Sequence, residues 1–389
     1  MLASFENRPF ATRAQELLLK AALFQGAEAL TAWHEWKILV DLEANNDNGT
    51  FRLLPLLYTN LQRHAVKDPA INILKGIYRK AWYKNHTLFH DIAKTASHFQ
   101  KSGVKTMLLK GAPLTLLHYK NYAVRPMADI DILTPSSQAP LAMNVLSNEG
   151  WIPMHRLKNG DLRYDHAMPF KNSSGTELDL HWYPYRGCPE SYCKDFWNRA
   201  VPLEFGDAST LSPDATDMLF HIIIHGLKWN REPPIRWIAD SMSLMQSSDA
   251  QIDWMRLIDC AIKQRFSPTV REALTYLHGT FHANIPPSII EATHRIPISP
   301  LDIFICRYEL ANPELKYDIP IAGFISNVYE GLRLHDESPF FSRVSGLLNF
   351  LQYRFKATSR YHLFRLIIFK ALNRLKRMLF RMRLNHRYK

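Results

Sequence analysis

Two aspartates one residue apart lie inside an apolar run in the segment MADIDILT, residues 127–134. In a β-strand alternate side chains share a face, so Asp129 and Asp131 would point one way while Ile130 and Ile132 point into a core. Two like charges side by side are unfavourable unless a positive group lies between them. The segment therefore predicts a buried strand that carries a cation site, most often one for a divalent metal.

The residues around this strand predict a mixed α/β segment. The apolar run VKTMLL, residues 104–109, has the length of a strand, and APLTLLHY after Lys110 and Gly111 predicts a short helix. A further helix is expected over residues 135–150. The alternating stretches 162–170 and 176–183, with a turn between them, predict a β-hairpin.

The rest of the chain predicts helices. Apolar positions recur at spacings of three and four up to about residue 100 and again from about residue 213. A chain of 389 residues is also too long for one compact core. We therefore predict an α+β protein in which a small mixed sheet is flanked by N-terminal and C-terminal helical domains. The expected divisions are a helical domain at 1–102, a catalytic core at 103–205, a helical domain at 206–335 and a tail at 336–389.

Acidic side chains on the hairpin complete the predicted site. Glu177, Asp179 and His181 would share one face of the second hairpin strand. If this strand lies near the first acidic strand, Asp129, Asp131 and either Glu177 or Asp179 would form a cage of three carboxylates for two Mg²⁺ ions. Hard cations prefer oxygen ligands, and Mg²⁺ keeps triphosphate oxygens in its shell. Asp179 is favoured over Glu177 because leucines flank it on both sides.

Several motifs together resemble a known family. LLKGAPL, RPMADIDIL, ELDLHW, HGLKW and RWIAD, spread over residues 107–240, are similar to an uncharacterised bacterial nucleotidyltransferase family of the polymerase-beta-like nucleotidyltransferase superfamily. That family is often linked with polysaccharide biosynthesis gene clusters. The resemblance implies an enzyme that uses two Mg²⁺ ions and a nucleoside triphosphate.

The resemblance also assigns roles to residues of this chain. Asp129, Asp131 and Asp179 would be catalytic metal ligands, with Asp179 acting on the acceptor hydroxyl. Lys110 and Gly111 would line the triphosphate, because glycine lets the backbone approach a phosphate and lysine adds a positive charge.

Five further positions are candidates for nucleotide binding or for structural pairing. Arg125 suits a carboxylate or a phosphate oxygen, although a surface arginine before a proline turn is an equal alternative. The resemblance suggests that His225 and Lys228 face the nucleotide. Arg236 and Asp240, four residues apart, are compatible with a simple ion pair on a helix.

Two zinc sites are weaker alternatives. His221 and His225 have the i, i+4 spacing of metal ligands on a helix, but no third ligand is evident. Cys188 and Cys193 lie near His181 in the sequence, again without a fourth ligand. With only four cysteines, the chain lacks a disulfide framework.

The composition predicts an intracellular protein. No window approaches 18 consecutive apolar residues, and the first residues lack the basic and then apolar order of a signal peptide. The expected location is the cytoplasm, with a peripheral association with the inner membrane as an extension of that hypothesis.

The basic charge is concentrated at the C-terminus. Tyr353–Lys389 contains twelve Lys and Arg residues and no Asp or Glu, whereas the other residues carry 36 charges of each sign. Apolar and basic residues alternate in this tail with helical spacing, which predicts an amphipathic basic helix. Three interpretations remain: it contacts an anionic membrane surface, it packs on the protein body, or it binds nucleic acid. The last is less supported because no nucleic-acid-binding motif is present.

The predicted reaction is transfer of a nucleoside monophosphate from a nucleoside triphosphate to a hydroxyl acceptor. Two other classes fit the same sequence. One is a non-catalytic nucleotide-binding scaffold that attaches to a membrane surface through the tail. The other is a toxin-like enzyme that modifies a protein or tRNA.

Overall fold

The computed structural model describes residues 10–42, 44, 47–155, 162–227, 235–311, 320–335 and 338–369. The chain divides into two compact units, residues 1–312 and residues 313–389.

The first unit contains a mixed sheet of seven strands. They are β1 (Met107–Leu109), β2 (Asp129–Leu133), β3 (Ile152–Pro153), β4 (Ala167–Lys171), β5 (Glu177–His181), β6 (Val201–Phe205) and β7 (Ala208–Ser212). Their order in the sheet is β3-β4-β5-β2-β1-β7-β6. The central pairs are β2 with β5 and β1 with β7, both parallel, and β1 with β2, antiparallel. The pairs at the two edges are antiparallel.

Helices precede, interrupt and follow the sheet strands. In the first unit they are α1 (Arg13–Leu23), α2 (Gly26–Leu39), α3 (Asn48–Phe51), α4 (Leu54–Arg63), α5 (Ala70–Lys101), α6 (Gly111–Pro113), α7 (Ala139–Asn148), α8 (Glu190–Asn198), α9 (Ala215–Gly226), α10 (Arg236–Gln246), α11 (Trp254–Lys263), α12 (Ser267–Phe281), α13 (Pro287–Arg295) and α14 (Pro300–Leu310). A π-helical segment, Leu114–Tyr119, follows α6, and a 3₁₀ turn, Ser136–Gln138, precedes α7.

The two faces of the central strands belong to different apolar cores. Ile130 and Ile132 of β2 are buried in a core formed with α5 and α7. Leu133, which lies on the opposite face, belongs to the core of the N-terminal helices and of α9 to α13. Asp129 and Asp131 share that second face because side chains alternate along a strand. The alternation predicted from MADIDILT is therefore confirmed.

The predicted fold class is confirmed, because a mixed sheet lies between helical N-terminal and C-terminal regions. The predicted hairpin is β4 and β5, which pair antiparallel. Strands β3, β6 and β7 were not predicted. The last two form a hairpin across residue 205, the expected end of the catalytic core, around Gly206 with φ of +58°. The internal divisions at residues 102 and 205 stay predictions.

The second unit contains helices at Pro320–Leu334 and Phe340–Arg354, and residues 360–369 are also helical. The predicted amphipathic stripe beyond residue 369 lies outside the described residues. No helix in the described ranges of either unit is both long enough and apolar enough to cross a bilayer.

Candidate active site

Strands β2 and β5 bring the predicted acidic residues together. The two strands run parallel, and their register pairs Asp129 with Glu177 and Asp131 with Asp179. Because alternate residues of a strand face the same side, the acidic positions of both strands form one patch on the sheet. The expectation that separate strands would supply carboxylates to one site is met by this register.

Three of these side chains lie close enough to hold one metal ion. The ligand atoms of Asp131, Asp179 and His181 all lie within 4.8 Å of one another. Asp131 and Asp179 were predicted as ligands, whereas His181 was noted on the same face but not counted as one. Asp129 is not part of this group, so its predicted role as a metal ligand stays a prediction.

Asp131 is the buried centre of the site. Its Oδ1 accepts hydrogen bonds from Lys110 Nζ at 2.5 Å and lies 2.9 Å from His181 Nε2. Burial acts to raise the pKa of Asp131, but the charge of Lys110 and the contact with His181 outweigh it and hold the pKa far below its usual range. Asp131 is therefore an anion at any physiological pH.

The two neighbouring aspartates show the opposite shift. Burial raises the pKa of Asp129, and the charges of Asp131 and Asp179 raise it further. Burial and the charge of Asp131 likewise raise the pKa of Asp179, against the opposing influence of His181 and Lys110. Burial is the larger cause of both shifts, and repulsion among the three carboxylates adds to it. Carboxylates that lie so close together favour binding of a cation.

Glu177 has a different environment from Asp179. Its carboxylate accepts a hydrogen bond from Lys171 at 3.1 Å, and both side chains are exposed. Glu177 is also absent from the group of three potential ligands. The geometry favours Asp179 over Glu177 as the acidic contribution of β5.

Lys110 has a backbone conformation that is uncommon for a residue with a side chain. Its φ is +53° and its ψ is −112°, at the junction of β1 and α6. Such conformations cost about 1–3 kcal/mol and persist where the surrounding structure imposes them, often at functional sites. Here the conformation accompanies an ammonium group that contacts Asp131. The predicted contact between Lys110 and a triphosphate stays a prediction.

Arg125 is committed to a partner within the protein. Its Nε and Nη2 each donate a hydrogen bond of 2.8 Å to Asp240 of α10, and Tyr119 donates another of 3.0 Å. Asp240 is therefore paired with Arg125 and not, as its helical spacing suggested, with Arg236. Arg236 donates instead to the backbone carbonyl of Pro126. Arg125 thus fastens the segment before β2 to α10, and its predicted nucleotide contact would require this pair to open.

The guanidinium of Arg125 also explains the glycine at position 111. A Cβ on Gly111 would lie 2.1 Å from Arg125 Nη1 and 2.8 Å from Met127 Sδ. Any larger residue would therefore displace a side chain that Asp240 holds in place. Gly111 is required for this close approach, and its predicted contact with a phosphate stays a prediction.

Two histidines of α9 lie in the electrostatic field of the same site. Burial, followed by the charges of Lys110 and His181, lowers the pKa of His221 to about 3. The pKa of His225 is also lowered, first by the charge of Lys110 and then by desolvation. The residue is nevertheless exposed to solvent. His221 Nε2 is buried and has no hydrogen-bond partner among the described residues. Lys228, the other predicted nucleotide contact, lies outside the described residues.

The zinc alternatives find no support in the described part of the chain. There, neither the pair His221 and His225 nor the pair Cys188 and Cys193 belongs to a group of three potential metal ligands. Both cysteines are buried and free, and burial raises the pKa of the Cys193 thiol to about 12. A neutral, buried thiol behaves as a small apolar side chain.

The family assignment agrees with this geometry. A family model described as "Uncharacterised nucleotidyltransferase" matches residues 50–282, which is more than half of the chain. The chain belongs to this nucleotidyltransferase family. The residues matched by the family model include all seven strands, α9 and α10. They therefore include every described residue of the candidate site.

Comparisons with individual proteins add less. No protein with a curated description matches the nucleotidyltransferase. One similar solved structure is an antigenic nucleotidyltransferase-like protein from Paracoccidioides brasiliensis, with 12% sequence identity and a TM-score of 0.33. The similarity covers 51% of this chain and 93% of that chain.

Proposed function

We propose that this nucleotidyltransferase transfers a nucleoside monophosphate from a nucleoside triphosphate to a hydroxyl acceptor. The acceptor oxygen forms a bond to the α-phosphorus, the bond from that phosphorus to the oxygen bridging to the β-phosphate breaks, and pyrophosphate leaves. The observation that carries the proposal is the meeting of Asp131, Asp179 and His181 within 4.8 Å, in a patch of uncompensated negative charge. A role in surface polysaccharide biosynthesis is the setting that the family resemblance suggests.

The donor set fits a divalent ion, because two carboxylates and one imidazole are common metal ligands. We assign metal binding to Asp131 and Asp179, with Asp129 as a further contributor, and the resemblance implies two Mg²⁺ ions. A bound divalent ion would supply charge neutralisation at the attacking and leaving oxygens. The residues below act on the other groups of the reaction.

Three side chains would handle the proton and the phosphates. The raised pKa of Asp179 makes its carboxylate the stronger proton acceptor, so we assign the proton of the acceptor hydroxyl to it. Lys110 would release its contact with Asp131 and bind a phosphate oxygen of the triphosphate. His225, which is open to solvent beside the charge of Lys110, would face the nucleotide. We retain Lys228 as a sequence-based candidate for the same contact.

Pyrophosphate release tests the proposal directly. The purified protein is mixed with each nucleoside triphosphate, a divalent metal and candidate hydroxyl acceptors, and pyrophosphate is measured. Asp129→Asn should abolish turnover without loss of folding, because it removes charge from a repulsive patch. Glu177→Gln is the matched comparison on the neighbouring strand and should change turnover only a few-fold. Full activity of the Asp129 variant would refute its assignment.

Two other functions remain testable alternatives. A non-catalytic nucleotide-binding scaffold would bind a triphosphate without releasing pyrophosphate under any acceptor condition. A toxin-like enzyme would transfer label from a nucleoside triphosphate to a macromolecule. Label offered in a cell lysate separates the latter from small-molecule modification by the size of the labelled product.

We also propose that the second unit contacts an anionic membrane surface. From Ser338 to Lys389 the sequence contains no acidic residue, and thirteen positions are Lys or Arg. Apolar side chains are exposed on its helices, with Phe340 at 72% and Phe341 at 85%. Exposed aromatic residues beside cations favour the interface of an anionic bilayer. Others in the same unit are Tyr361, Phe364, Ile368 and Phe369.

Vesicle sedimentation tests the membrane proposal. Binding should require anionic lipid, weaken with salt and fall at least tenfold in the double variant Phe340→Ser/Phe341→Ser. Ile38→Ser removes an equally exposed side chain from the first unit and should leave binding unchanged. Failure to bind anionic vesicles would contradict the proposal, and binding to RNA in their place would favour the nucleic-acid alternative.

A further inference from the structure

We infer that His181 binds the metal directly through Nε2, and that the site therefore prefers Mn²⁺ over Mg²⁺. The inference rests on the metal site of the proposed function and specifies which ion that site accepts. It differs from the predicted cage of three carboxylates, which would be selective for a hard, oxygen-seeking ion.

Both ring nitrogens of His181 lie beside an oxygen that accepts hydrogen bonds. Nδ1 lies 3.3 Å from the backbone carbonyl oxygen of Tyr183. A carbonyl oxygen only accepts hydrogen bonds, so a proton on Nδ1 satisfies this contact. In the tautomer that carries its proton on Nδ1, Nε2 has a lone pair for a metal ion. A backbone carbonyl that fixes the tautomer in this way is a common second partner of metal-binding histidines.

The second of these oxygens belongs to the carboxylate of Asp131. Nε2 lies 2.9 Å from Oδ1 of Asp131, and the side chain of His181 is only 1% exposed. Two acceptors at this distance repel each other in a buried setting unless a cation or a proton neutralises them. Lys110 donates a hydrogen bond to the same Oδ1 atom and so partly neutralises Asp131. The contact of Lys110 is with the carboxylate, and the imidazole needs a proton or a cation of its own.

The separation of His181 from Asp131 suits two adjacent ligands of one ion. Two ligands that each lie about 2.1 Å from an ion in octahedral geometry are about 3 Å apart when adjacent and about 4 Å apart when opposite. His181 Nε2 and Asp131 Oδ1 are separated by 2.9 Å, and the ligand atoms of all three residues lie within 4.8 Å of one another. The three side chains are thus close enough to share one ion.

The nitrogen ligand determines the ion preference. Mg²⁺ is bound mainly by oxygen and retains several water molecules, whereas imidazole favours first-row transition metals. Among these, Mn²⁺ also accepts carboxylates and water readily. A site with two carboxylates and one imidazole should therefore bind Mn²⁺ more tightly than Mg²⁺.

The competing interpretation is that Nε2 is protonated and donates a hydrogen bond to Asp131. His181 would then position the carboxylate without contacting the metal. The two interpretations differ in whether a nitrogen nucleus lies in the coordination shell, which pulsed electron paramagnetic resonance detects on bound Mn²⁺ independently of catalysis.

The experiment uses the full-length protein, freed of metal by a chelator and then titrated with Mn²⁺ or Mg²⁺ by calorimetry. Pulsed resonance spectra of the Mn²⁺ complex are recorded for the wild type, for His181→Asp and for His294→Asn. His294 is an exposed histidine of α13 and provides the matched control. Circular dichroism verifies that each variant is folded.

We expect Mn²⁺ to bind the wild type at least about 100-fold more tightly than Mg²⁺. A ¹⁴N coupling should be present in the wild type and the His294 variant and absent in His181→Asp. In His181→Asp the ratio of the Mn²⁺ affinity to the Mg²⁺ affinity should fall at least tenfold, because a site made only of oxygen ligands suits Mg²⁺ better.

Several results would overturn the inference. These are a wild-type complex without ¹⁴N coupling, a coupling that persists in folded His181→Asp, equal affinities for the two ions, or no binding of Mn²⁺. The proposed function fails separately, if a metal-loaded protein with the expected coupling releases no pyrophosphate. If turnover depends on Asp131 and Asp179 but bound Mn²⁺ shows no nitrogen ligand, the proposed function stands and only the inference about His181 fails.

Discussion

Asp131 and Asp240 are equally buried aspartates with opposite surroundings. Their side chains are 8% and 6% exposed. Asp240 receives two hydrogen bonds of 2.8 Å from the planar fork of Arg125 and a third from Tyr119. One buried cation and one buried anion therefore cancel, and both oxygens of Asp240 have a partner within the protein.

Asp131 also has a cationic partner, Lys110, but its neighbours are acidic. The pKa values of Asp129 and Asp179 are raised first by burial and then by repulsion from the neighbouring carboxylates. A buried carboxylate alone therefore does not indicate a functional site. What distinguishes the two is whether charge remains unneutralised after every contact within the protein has been counted.

Asp131→Asn should separate activity from stability most strongly. Turnover should fall by about a thousandfold or more, because the proposed central metal ligand is lost. The free energy of unfolding should fall by less than at Asp240. Lys110 and His181 lose a carboxylate that they stabilise, but Lys110 is partly exposed and the repulsion with Asp129 and Asp179 is removed. Pyrophosphate release and urea denaturation measure the two quantities. An unfolded variant, or a folded variant that retains activity, would contradict the assignment of Asp131.

Asp240→Asn should lower the free energy of unfolding more than Asp131→Asn does. It leaves the guanidinium of Arg125 buried without its counter-charge, which typically costs about 3–5 kcal/mol of unfolding free energy. The double variant Arg125→Met/Asp240→Leu should recover much of this loss, because an apolar pair needs no counter-charge. Urea denaturation of the single and double variants provides the test. A single variant as stable as the wild type would show that the pair is dispensable.

Gly111→Ala disturbs the same pair of Arg125 and Asp240 from the side of the arginine. The new Cβ would lie 2.1 Å from Arg125 Nη1, so the fork must move away from Asp240. We expect a loss of about 2 kcal/mol in the free energy of unfolding, typical of overpacking in a fixed environment. Gly76→Ala is the control, since a Cβ there meets nothing within 4 Å and alanine favours the helix. Equal stability of the two variants would contradict this account.

Local sequence patterns were sufficient for the strands that carry the site. The alternation of MADIDILT and ELDLH predicted both the faces of the strands and the acidic patch, because period two follows from the backbone alone. The hairpin of β6 and β7 was missed, although VPLEF and ASTLS flank a Gly-Asp turn that is typical of hairpins.

Partners distant in the sequence were harder to predict. Arg125 and Asp240 are 115 positions apart, and no periodicity indicates that α10 lies beside the segment before β2. The same limit explains His181: its face was predicted, but its approach to Asp131 depends on the pairing of β5 with β2. His221 needed the position of α9 as well as its own helical spacing.

His221 provides the smallest and most specific test of the electrostatic difference. Its pKa is lowered to about 3 by burial and by the charges of Lys110 and His181, whereas an unfolded histidine titrates near 6.5. Between these two values the unfolded chain binds the proton and the folded protein does not. Stability contributed by neutral His221 is therefore fully present above pH 6.5 and is lost as the pH falls toward 3.

His221→Gln should flatten the pH dependence of stability in that window. One proton fewer is taken up on unfolding, so the slope of unfolding free energy against pH should fall by roughly 1 kcal/mol per pH unit. Urea denaturation at pH 7, 6 and 5 in the presence of a chelator measures the slope without bound metal. An unchanged slope in the His221 variant would mean that neither burial nor the charge of Lys110 lowers the pKa of His221, and His221 would then lie outside the influence of the site.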